Sequence, residues 1–242
     1  MCVFSSVGRA GEKADSVAIN QSYSFEAKQL ILPSCFIVAG ASSLFFEPMQ
    51  GLDHSVQNAM TDLRGNNHCI SLDDYLRFTP TVADFALHFA GVESNYNLTD
   101  KLLTTGTSYV VLVALTKGLK LTTHKVRPDG SDDHSFPSGH VATAFLGAEM
   151  MRINYGEWWG LAGYSIATTT AFLRLYNNRH WVGDVIGAAG IGILSARIGY
   201  WLLPLERRIL GLDKKKTDAS FFAVLTYDAV SNSYGMSVAL QF

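Results

Sequence analysis

Charge is scarce in this 242-residue chain: 17% of residues are Asp, Glu, Lys or Arg, against roughly 25% in an average soluble domain. Lys and Arg number 19 and Asp and Glu 21, so the net charge is −2 and no global basic field exists for nucleic acid. Cysteines are three, Cys2, Cys35 and Cys69. They are too few and too scattered for a disulfide framework or a zinc site, so free thiols are expected, with a single Cys35–Cys69 bridge as the alternative. The first 28 residues are polar and mixed and lack the apolar core of roughly 7–15 residues that marks a secretory signal. The expectation is insertion through the first apolar segment, or a signal missing from this copy. Internal repeats and low-complexity tracts are also absent.

What the chain has is apolar length. Hydrophobic residues make up 48%, although a mean hydropathy of +0.14 is modest for a fully embedded protein. Six apolar segments stand out, at 30–46, 78–92, 102–115, 141–153, 158–173 and 181–203. Several are nearer ~15 than the ~20 residues that cross a bilayer, and Glu149, Arg152 and Arg197 intrude. Trp158 and Trp159 open the fifth in the position of an interfacial aromatic belt. Between the first two, Leu52, Val56, Met60 and Leu63 recur at helical period. That stripe predicts an amphipathic helix, lying at an interface or packed on the core. Asp84 and His88 lie four apart in the second segment and could pair on one face. Thr99 or Asp100 can cap the third.

This pattern predicts an all-α protein, a six-helix bundle that spans a membrane, over residues 29–204. A polar tail, 1–28, precedes it. After it come a basic linker (Glu206-Arg207-Arg208, Lys214-Lys215-Lys216) and a β-hairpin-like tail, 205–242, with strands at 221–229 and 236–242. Six spans would put the loops at 47–75, 118–139 and 174–180 on one side and both termini, with their basic run, on the cytoplasmic side. A soluble helical bundle is the alternative.

Two of those loops carry chemistry, in three strings: Lys120-Leu-Thr-Thr-His-Lys-Val-Arg127-Pro128, Pro137-Ser138-Gly139-His140 and Arg174-Leu-Tyr-Asn-Asn-Arg-His180-Trp-Val-Gly-Asp184. Arg127 and Arg174 offer forked donors that match phosphate oxygens two at a time, and Lys120 adds a point charge. Pro128 restrains Arg127 toward extended backbone. Ser138 is a good N-cap. The amides of Gly139 and His140 would point out of a helix N-terminus, a ready anion site, and Gly139 removes a side chain from the approach. His180 and Asp184 share a face, so the carboxylate can take the Nδ1 proton and leave Nε2 free to attack. Each piece alone reads as a solvated cation, a capped helix or a structural pair. Together they meet the needs of a phosphate ester, whose transition state spreads charge over its equatorial oxygens.

The three strings resemble the signature of the type 2 phosphatidic acid phosphatase and vanadium haloperoxidase superfamily. The likeness extends with the six segments to about 29–204. Leu173 stands where the family usually has a small residue and Val141 where Thr is common, which should tune the pocket rather than abolish activity. The loop between Pro128 and Pro137 is short for the family. The resemblance implies a phosphoric-ester hydrolase without metal or other cofactor. His180 would attack phosphorus to form a phosphohistidine, oriented by Asp184. His140 would protonate the leaving group and then help water. Lys120, Arg127, Ser138, Gly139 and Arg174 would hold the phosphoryl oxygens. The implied substrate is a phosphorylated lipid in the bilayer of a bacterial inner membrane, with the site facing the periplasm: phosphatidic acid, phosphatidylglycerol phosphate, undecaprenyl pyrophosphate or a lipid A phosphate. Rival readings are a soluble periplasmic acid phosphatase, a vanadium-dependent haloperoxidase and a non-catalytic membrane binding or transport protein. Asp132, Asp133 and His134 could suggest a metal, but a hydrophilic loop lip is the expected role.

Overall fold

The computed structural model describes residues 24–66 and 69–212, together with the backbone of two strands near the C-terminus. Most of the expected N-terminal tail and much of the basic linker therefore lie outside the described residues. All six apolar segments are helical. A short 3-10 turn, Ala27–Leu30, leads into α1 (Ile31–Ser42), followed by α2 (Glu47–Arg64), a single-turn α3 (Asp73–Leu76) and α4 (Thr79–Phe89). Then come α5 (Leu98–Thr123), α6 (Gly139–Tyr155), α7 (Glu157–Tyr176) and α8 (Val182–Ile209). The chain divides into two compact units at Pro204. In the second, β1 (Ser220–Asp228) and β2 (Ser233–Gln241) pair antiparallel, Ser220 opposite Gln241.

The main core lies among α5, α6 and α8, where Leu112, Val141, Leu146, Met150, Val185, Ile191 and Tyr200 pack together. Val141 is thus wholly buried, and so largely is Leu173. Glycine sets how closely helices approach. A Cβ on Gly40 of α1 would lie 2.3 Å from the Gly187 amide nitrogen of α8, and one on Gly192 would lie 2.3 Å from the Ala142 carbonyl oxygen of α6. The backbones meet where side chains would otherwise stand.

Six spans were expected. By length and composition, two described helices could cross a membrane, Leu98–Thr123 and Val182–Ile209, and α1 with α2, bent by 84°, would make a third. The difference has a physical cause: α1, α4 and α6 are short, with 12, 11 and 17 residues, and the charges that intrude on α6 and α8 face one another inside the bundle. Glu149, fully buried, accepts from Arg152 at 2.8 Å and from Arg197 at 2.6 Å. Such pairing lowers a helix's hydropathy without exposing charge to lipid. Outward, apolar side chains are common: Val38, Phe45, Val82, Phe89, Val110 and Trp158 are all more than half exposed.

Two local expectations are corrected. Asp84 does not pair with His88. It meets Lys101 at 3.0 Å and the Asn154 amide at 2.7 Å, because a fully buried carboxylate needs a cation and donors buried with it. Neither Thr99 nor Asp100 caps α5; the Asn97 side chain accepts from the Asp100 amide at 2.9 Å. Cys35 and Cys69 are free thiols. On α2 the apolar stripe is split, with Leu52 and Leu63 exposed and Val56 and Met60 half-buried, while Asp53 is buried.

Candidate active site

The loops that carry the three motifs, and the segment before α4, meet at one end of the bundle. Gln57 of α2 reaches the Pro128 carbonyl at 3.4 Å, and Asn177 reaches Ile70. The Ser138 amide donates to the Asp184 backbone carbonyl at 3.2 Å, which joins the second motif to the third.

Asp184 lies in the first turn of α8 and is wholly buried. Its carboxylate accepts from the Trp181 amide at 2.9 Å and from the Ser135 hydroxyl, and sits 3.1 Å from Lys125 Nζ. His180 Nδ1 is 3.6 Å from the same carboxylate. The ring is therefore oriented through Nδ1, with Nε2 as the remaining nitrogen. Burial pushes the His180 imidazole down to about 4, against the upward pull of Asp184, and the charges of Arg174 and Arg127 lower it further. A neutral ring keeps a lone pair for attack.

Arg174, at the end of α7, is buried and acts electrostatically on both His180 and His140. One of its amino groups, Nη1, lies 2.6 Å from Asp73, while its Nε is buried with no hydrogen-bond partner. Ser138 is the N-cap residue of α6, yet its hydroxyl makes no capping bond and is also buried without a partner. Groups of this kind normally find partners, so two donors are left for a ligand. A Cβ on Gly139 would meet nothing within 4 Å, so the approach to the helix start is open. Arg127 lies 2.7 Å from Asp132, and Lys120 donates to the His134 carbonyl. The Lys120 charge interacts with those of Arg127, Arg174 and Asp184. His140 Nε2 is 2.7 Å from Asp74. Burial pushes the His140 imidazole below its ordinary value, Arg174 adds to the depression, and Asp74 opposes it.

Seven of the eight residues singled out in the sequence are thus linked at one end of the bundle by hydrogen bonds or by charge, and Gly139 stands between two of them in the chain. Sequence reasoning missed Asp53, Asp73, Asp74, Lys125 and Ser135. Asp53 accepts from the Gly183 amide at 2.8 Å and from Lys125 at 2.9 Å, bracing the start of α8. Lys125 and Ser135 sat unassigned beside the motifs. Asp73-Asp74 had only its doubled charge to mark it. Of the suspected metal cluster, Asp133 and His134 lie with His124 so that their ligand atoms fall within 4.8 Å of one another, while Asp132 holds Arg127 instead.

Residues 101–208 match the PAP2 superfamily. All three motif strings lie inside that stretch. It is 32% identical over 162 residues to a lipid A 1-phosphatase of Porphyromonas gingivalis, a match covering 64% of this chain and 36% of that protein's length. Among solved structures it resembles a transmembrane PAP2-type phosphatidylglycerolphosphate phosphatase from Bacillus subtilis, with a TM-score of 0.51 and 21% identity, over 79% of this chain and 99% of that one. The shared fold is that of a PAP2 membrane protein.

Proposed function

We propose that this protein is a membrane-embedded phosphatase that removes phosphate from a lipid through a phosphohistidine. The observation that carries the reading is the buried His180–Asp184 pair, set in the field of Arg174 and Arg127 beside the unpartnered donors of Ser138 and Arg174. His180 Nε2 attacks phosphorus while the bond to the leaving oxygen breaks, and His140 gives that oxygen its proton. Water then attacks the phosphohistidine, His140 takes the water's proton, and phosphate leaves. Arg174, Arg127, Lys120, Ser138 and the amide of Gly139 hold the equatorial oxygens, where charge develops. No step calls for a metal.

The likeness to a lipid A 1-phosphatase favours a glycolipid phosphate as substrate. Phosphatidic acid, phosphatidylglycerol phosphate and undecaprenyl pyrophosphate present the same phosphoryl group. The outward apolar side chains of α1, α4 and α5 support a site opening beside a bilayer, in the inner membrane and facing the periplasm. The test is phosphate release from a panel of these four lipids by detergent-purified protein in EDTA. Wild type is expected to release phosphate and His180→Ala to fall by roughly 10³-fold or more. Equal release by the two would remove His180 from its role.

A further inference from the structure

Two adjacent carboxylates from α3, a helix that no motif marks, stand on two different groups of the site. Asp73 holds Arg174 at 2.6 Å and Asp74 holds His140 at 2.7 Å. The placement is anchored from below. Asn177, just beyond Arg174 in the chain, accepts from the Ile70 amide at 2.9 Å and donates to the Ile70 carbonyl at 2.7 Å and to Asp73 at 3.3 Å. Asp73 is 2% exposed. The segment 70–74 is thus laced to the end of α7, and its next residue reaches across to the first turn of α6.

We propose that Asp74 is the positioning carboxylate of His140. The proposal rests on the phosphatase reading above, in which His140 is the general acid. Asp74 accepts the Nε2 proton of the imidazolium, which leaves Nδ1–H for the leaving oxygen. When the phosphorus–oxygen bond breaks, that Nδ1 proton passes to the alkoxide, and in the second step Nδ1 recovers one from the attacking water. Asp74 keeps its hydrogen bond throughout and touches no reacting atom.

The charges acting on His140 are Asp73 and Asp74 of α3, Arg77 just after it, and Arg174 of α7. Arg174 is already matched by Asp73. Among the described residues, Asp74 alone makes a hydrogen bond to the ring, and it opposes both the burial and the two arginines that favour the neutral form. Its relation to His140 is the one Asp184 has to His180, with the ring nitrogens exchanged.

The experiment compares a substrate that needs a general acid with one that does not. Short-chain phosphatidic acid leaves as an alkoxide, and p-nitrophenyl phosphate as a stable phenolate. Asp74→Asn in detergent is expected to lower kcat/KM, which reports only the steps up to loss of the leaving group, by roughly 10²-fold for the lipid, the typical weight of general acid catalysis, and by less than about threefold for p-nitrophenyl phosphate. Because Asp74 raises the His140 pKa, its loss should also move the high-pH falling limb of kcat for the lipid to lower pH. Asp74→Glu should restore both. In a His140→Ala background Asp74→Asn should cost nothing further. Equal losses on the two substrates, or no loss on either, would overturn the assignment. Failure of the phosphatase reading would look different: wild type and His180→Ala would then hydrolyse both substrates alike.

Discussion

At the residue scale, the proposed mechanism depends on keeping one imidazole neutral inside a ring of cations. His180 is 4% exposed, and its pKa near 4 lies well below the ordinary 6.5 of imidazole. A nucleophile must be unprotonated, so a lowered pKa extends activity toward acid. The low-pH limb of kcat/KM, which reports free-enzyme groups, should therefore fall near pH 4 rather than near 6.5, as a pH–rate profile on p-nitrophenyl phosphate would read. Arg174 supplies a second expectation. One of its nitrogens is taken by Asp73 and another is left without a partner, so the planar fork serves two acceptors at once. Lysine cannot do this. Arg174→Lys should lower kcat by roughly 10²-fold although the charge is kept, measured by phosphate release. Both motif residues were legible from their spacing. Asp74 and Ser135 were not, because a single carboxylate or hydroxyl carries no periodic signal until the fold sets it beside its partner.

At the element scale, close helix contacts replace bulk hydrophobicity. The α1–α8 crossing has the Gly40 Cα position against the Gly187 backbone. A methyl group there would press on main chain that cannot turn aside, so Gly40→Ala should destabilise the protein by roughly 1–3 kcal/mol, seen as a lower unfolding temperature in detergent. A second contact ties α4, α5 and α6 together through Lys101, Asp84 and Asn154. Lys101→Met would leave Asp84 buried without its cation, a change that typically costs roughly 3–5 kcal/mol. The unfolding temperature should fall, while the folded fraction keeps its KM, since none of these groups belongs to the phosphate site. The sequence showed that Asp84 needed a partner but named the wrong one. His88 was near in the chain, whereas Lys101 is brought in by a different helix.

At the scale of the whole molecule, many exposed side chains are apolar, and among the described residues two helices are long and apolar enough to cross a bilayer. Expressed in a bacterium, the protein should stay with the membrane fraction through a carbonate wash and leave it only with detergent. Release into buffer alone would return the soluble acid phosphatase to first place.

The amino-acid order by itself determined the helical class and brought the three motif strings into view, because helices and phosphate seats need particular residue types at fixed local spacing. Only the tertiary structure decided which acids hold those cations and where the interior charges find partners. Those depend on distances between segments far apart in the chain, which no local spacing encodes.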